Sequence, residues 1–154
     1  MNRDPALYQS FVKQARKALS DHPQIKHEWS IDEDEDHCIL DIPEMFDEGF
    51  AIKIEVNPDR ITVIASGAHM TLNLNEYKNA DELAAQALGL VRDLLSPGMR
   101  IRERLAGGIP YKWAFETYQN GRWLTMEWIG LIFWNYFGKR TEKIYQNKVL
   151  PARK

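Results

Sequence analysis

The sequence predicts an α+β fold: a predominantly antiparallel β-sheet of about eight strands with two main helices packed on one face. Two segments repeat their apolar residues at helical spacing, while most of the remainder alternates apolar and polar residues at period two. The connections between alternating segments are short turns, too short for the crossovers that parallel strands need. The chain of 154 residues has the size of one ordinary domain and carries no repeat or low-complexity linker, so residues 1–154 are expected to form a single domain.

Asp4 followed by Pro5 is a helix start, an N-cap acceptor and then a proline at the first helical position. Leu7, Phe11, Ala15 and Ala18 follow at helical spacing, with Tyr8, Val12 and Leu19 beside them. Pro23 disfavours helical geometry in the residue before it, so the helix stops by His22. Alternation then takes over. Ile25, His27, Trp29 and Ile31 share one strand face, which places His27 among core residues. Beyond the charged connection 32–36, Cys38, Leu40 and Ile42 mark a second strand, and Phe50, Ile52, Ile54 and Val56 a third. Asn57-Pro58-Asp59 turns the chain, and 61–65 and 70–74 are two more strands around Gly67.

Asn79 with Glu82 fits a capping pattern, asparagine standing in for serine or threonine. Leu83, Ala87, Leu90, Val91, Leu94 and Leu95 supply the apolar face of a second helix, ended by Ser96-Pro97-Gly98. Segments 99–105, 111–118 and 123–129 are strands, the last two joined by Asn120-Gly121, a strong hairpin signal. Residues 130–137 fit either a strand continued past a bulge at Gly130 or a buried helix; 141–149 fit either a closing strand or a short helix.

A chain that is 44% hydrophobic and 27% charged is an ordinary globular protein, not a disordered one. Its most apolar stretch, 128–137, is far too short to span a bilayer, and no apolar run of signal-peptide length opens the chain. The single cysteine, Cys38, excludes an internal disulfide and fits a reducing compartment, so a cytoplasmic protein with no membrane contact is expected. The net charge of −2 hides an asymmetry: 1–97 holds nine Lys and Arg against eighteen Asp and Glu, and 98–154 holds eleven against four. Either the halves neutralise each other or the basic half faces an anionic partner, although the acidic first half argues against a general nucleic-acid protein.

Most motif-like clusters fail on inspection. Asp32, Asp34 and Asp36 have hard-cation spacing, but an EF-hand loop needs glycine where His37 sits and glutamate where Pro43 sits, so a solvated acidic connection is expected. The four histidines, His22, His27, His37 and His69, have no zinc-type spacing and no second cysteine to join them. Neither a metal nor a cofactor is expected. Gly138-Lys139-Arg140-Thr141 lacks the upstream glycine of a phosphate loop, and Arg140 stands where that loop needs Ser or Thr. Cys38 alternates with Leu40 and Ile42, which makes it a buried, inert thiol.

Two features remain. Arg100, Arg102 and Arg104 put three guanidiniums on one strand face, where they either pair with Glu116 and Glu127 of adjacent strands or, together with Lys139 and Arg140, bind an anion. The aromatics after residue 112 are dense, and Trp113, Trp123, Trp128, Trp134 and Tyr136 are candidates for an interface or ligand surface. The leading expectation is a non-catalytic binding or adaptor protein whose aromatic C-terminal sheet face contacts a protein, a small ligand or a second copy. The alternatives are an anion or nucleic-acid binder using the arginine row, and an enzyme whose site gathers His69, Asp41 or Glu55 from separate strands.

Overall fold

The computed structural model describes residues 6–34, 36–130 and 138–151, with 127–130 described by their backbone alone. Helix α1 (Ala6–Asp21) is followed by strands β1 (Glu28–Ile31), β2 (Cys38–Ile42), β3 (Ile52–Asn57), β4 (Arg60–Ala65) and β5 (Ala68–Asn73). A short 3₁₀ turn leads to α2 (Ala80–Leu94), then to β6 (Met99–Ala106), β7 (Ile109–Gln119), β8 (Arg122–Gly130) and β9 (Arg140–Tyr145). All the pairings are antiparallel.

The strands form two sheets where the sequence suggested one, in the orders β1-β2-β3-β4-β5 and β8-β7-β6-β9. The physical reason is α2. It carries the chain from the end of β5 into the helix layer, so β6 starts a new ladder. The closing strand expected within 141–149 is β9, which pairs with the free edge of β6. Residues 131–137 lie outside the described residues, as do Asp4 and Pro5, so the expectations placed there have no structural counterpart.

Local chemistry explains the element ends. The Asn79 side chain accepts from Glu82 N at 2.9 Å, and the Glu82 carboxylate accepts from Lys78 N at 2.8 Å. The first bond satisfies an amide that the first turn of α2 cannot pair, and the second ties down the residue before the cap. Asn120 and Gly121 take φ of 52° and 78°, the left-handed pair that a two-residue hairpin turn requires.

The first sheet alternates as expected. Cys38, Leu40 and Ile42 on β2, Ile52, Ile54 and Val56 on β3, and Ile61, Val63 and Ala65 on β4 are all buried. They join Leu7, Phe11 and Ala15 of α1 and Leu83, Ala87 and Val91 of α2 in one core that also includes Ile101 and Phe115 of the second sheet. Each full burial of a large aliphatic side chain contributes about 1.5–3 kcal/mol. His27 departs from expectation. It is exposed, and its Nδ1 lies 3.1 Å from Ile25 O, because β1 begins only at Glu28 and forms the edge of the sheet.

Candidate functional site

Arg100, Arg102 and Arg104 lie on the face of β6 opposite buried Met99, Ile101 and Leu105. Carboxylates on both neighbouring strands meet them. Arg100 Nε donates to Glu116 Oε1 at 2.7 Å, and Arg104 Nε donates to Glu142 Oε1 at 3.3 Å. Arg102 Nε is buried without a hydrogen bond but lies 3.4 Å from Glu116 and 3.9 Å from Glu142. Glu116 is only 2% exposed, and its second oxygen accepts from Thr125 Oγ1 at 3.2 Å. Of the two neutralising residues the sequence suggested, Glu116 takes that place. Glu142 of β9 is the second carboxylate, and the Glu127 side chain is outside the described set. The Arg100 guanidinium also stacks 4.1 Å above the Trp123 ring, which in turn meets Tyr118.

The remaining expected site residues scatter. Lys139 is exposed, and its carbonyl accepts from Gly107 N. Arg140 is exposed, with its guanidinium 5.1 Å above the Tyr111 ring. Trp113 is a core residue at 8% exposure, not part of an open aromatic face. Its indole donates to Glu103 at 2.9 Å, and a Cβ placed on Gly67 would overlap its ring. Glu103, buried on the inner face of β6, also accepts from Tyr145 OH at 3.3 Å. Trp128 is described by its backbone alone, opposite Ala114 in the β7–β8 ladder, and Trp134 and Tyr136 lie outside the described residues.

Asp32, Asp34 and Asp36 bring carboxylate oxygens within 4.8 Å of one another, and Asp36 is buried, so this connection is less solvated than expected. Cys38 is fully buried, and burial pushes its thiol up to about 12, only partly opposed by the charge of Arg16.

The concave feature with the most defined chemistry lies on the helix side of the first sheet. Where α1 and α2 approach, the N-terminal half of α1 fills the gap with Leu7 and Phe11, while the C-terminal half offers Ala15 and Ala18 opposite Gly89 of α2. Small side chains facing each other leave a cavity of about 280 Å³. Leu40 and Ile42 form its floor, Leu19 and His22 the α1 side, Leu88 and Leu95 the α2 side, and Leu150 one end. Leu150 is held there because its amide and that of Val149 donate to Leu95 O at 3.1 and 2.9 Å. His69, Asp41 and Glu55 do not line the cavity.

One strong cation faces this apolar space. Arg92 lines the cavity, and its Nη1 is buried with no hydrogen-bond partner. Such an unmet donor costs about 1–3 kcal/mol, and more when charged. The favourable position of a cation in the last turn of α2 explains a positive charge there but satisfies no N–H group. At this end of α2, Leu94 O accepts from Asn147 Nδ2, Asp93 O from Ser96, and Leu95 O from Val149 and Leu150.

Sequence reasoning passed over Arg92, although the signal was there. Leu88, Arg92 and Leu95 fall at i, i+4 and i+7, so the arginine stands between two leucines that border the apolar face of α2. Set against protein-family models, curated proteins and solved structures, the chain matches none.

Proposed function

We propose that this chain is a binding protein for a small apolar molecule, held between α1 and α2 above β2. The observation that carries the reading is the cavity itself: about 280 Å³, with Arg92 and His22 the only polar members among the described lining residues and aliphatic side chains making up most of the rest. Binding pockets are mostly apolar clefts with few, placed polar groups. The volume is about twice that of the ~150 Å³ apolar cavity known to accept a benzene ring, so a molecule of roughly a dozen heavy atoms fits.

Titrating 1-decanol into protein with labelled Ala, Ile, Leu and Val methyl groups tests this. Methyl shifts should concentrate on Ala15, Leu19, Leu40, Ile42, Leu88 and Leu150, and Ala18→Phe at the rim should suppress them. Absence of saturable shifts, or shifts centred on the second sheet, would overturn the reading.

A second reading is favoured by one observation. The outer face of the second sheet carries the Arg100–Trp123 stack beside Tyr118, and Met126 of the same hairpin is half exposed. Aromatic residues, Met and Arg are the types enriched at interfaces. This reading assigns that face to a protein partner or a second copy. It requires concentration-dependent mass in light scattering that Trp123→Ser abolishes; a monomer at all concentrations, with no partner captured by this face, removes it.

A further inference from the structure

Resting on the pocket reading above, we infer that the ligand between α1 and α2 is an amphipathic monocarboxylate, an apolar chain whose carboxylate is received by Arg92. Arg92 is the one Lys or Arg among the described residues that line the cavity, whose other members are aliphatic residues, Gly89 and His22. Among the described lining residues there is no Asp or Glu. The fold therefore supplies the cation and leaves the anion to come from outside. A planar guanidinium matches a carboxylate in shape as well as charge. One lining guanidinium balances a single negative charge, whereas a phosphate dianion would bring a second charge into an apolar wall.

The tail has its place too. Leu40 and Ile42 of β2, Leu19 of α1, Leu88 of α2 and Leu150 all line the cavity with branched aliphatic side chains. A cavity of about 280 Å³ has room for a chain of medium length. The outer face of the second sheet makes no comparable offer, since its arginine row already meets Glu116 and Glu142.

Calorimetric titration of the full chain with decanoate and with 1-decanol, for wild type and Arg92→Met, tests the inference. Wild type should bind decanoate at least about tenfold more tightly than decanol, a difference of about 1.4 kcal/mol. Arg92→Met should lose that preference, and a single cooperative urea transition shows that the variant is folded. Arg92→Lys keeps the charge but not the planar fork and should retain part of the preference. If wild type binds both molecules equally, or if Arg92→Met keeps the preference, the carboxylate inference fails and the apolar pocket stands. If wild type binds neither, the pocket reading fails and the inference with it.

Discussion

On the outer face of the second sheet, three arginines share two carboxylates; between α1 and α2, one arginine lines a mostly aliphatic cavity whose described lining holds no carboxylate. The sequence makes the first group conspicuous, because Arg100, Arg102 and Arg104 stand in a row. It makes the second inconspicuous, because Arg92 is a single residue in a helix. The fold reverses their significance. Long-range strand pairing brings Glu116 and Glu142 beside the row, whereas the described residues that share the cavity lining with Arg92 are small or aliphatic apart from His22. A charge points to a ligand where the fold withholds its partner, not where charges are most numerous.

The largest expected effect lies on the outer face. Glu116→Ala removes the acceptor of Arg100 and Thr125 and leaves the largely buried Arg100 without its carboxylate, which should cost about 3 kcal/mol of stability in urea unfolding. A loss below about 1 kcal/mol would show that this pairing is dispensable and would break the contrast.

Arg92→Met should move stability the other way. Without ligand it removes an unmet buried donor, so the unfolding free energy should rise by about 1 kcal/mol or stay level. A fall comparable to that of Glu116→Ala would mean that Arg92 is a structural residue like Arg100.

Alkali should act on the helix side first. The Cys38 thiol lies above its ordinary 9.0, at about 12, because it is buried under the helices. The unfolded chain therefore releases this proton first, so the contribution is complete below about pH 9 and is lost as pH climbs toward 12. Tyr77 and Tyr145 are raised as well, chiefly by burial and then by neighbouring glutamates, and act in the same direction. Urea midpoints should fall between pH 8 and pH 10, less steeply in Cys38→Ala; a Cys38 that reacts rapidly with a thiol reagent in the native protein would contradict the burial behind this slope.

The smallest effect is expected for nucleic acid. With its arginines paired, the outer face should bind single-stranded RNA only weakly at low salt, and not measurably at physiological salt. Tight, salt-sensitive retention on filters that is lost on replacing all three arginines by glutamine would restore the anion reading of this face.

What was legible in the sequence follows from the range of the interactions. Cys38, Leu40 and Ile42 point inward because period-two geometry is local, and Asn79–Glu82 and Asn120-Gly121 are marked by neighbours in the chain. The split into two sheets was not legible, since whether β5 pairs with β6 depends on where α2 carries the chain. His27 was misplaced because alternation continues past the point where the edge strand begins. Trp113 looked available because nothing nearby in sequence announces Gly67 and Glu103 as its neighbours. The cavity depends on Ala15 and Ala18 meeting Gly89, a coincidence of two helices some seventy residues apart, roughly the span from α1 to α2.

The most direct measurement is the ¹⁵N–¹H spectrum of the arginine side chains during a titration with decanoate, with the Arg92 signal assigned through Arg92→Lys. The account predicts that the Arg92 guanidinium protons move downfield and saturate with decanoate, stay in place with 1-decanol, and that the Arg100, Arg102 and Arg104 signals are unchanged throughout. Movement of the outer-face arginines with a fixed Arg92 would contradict it.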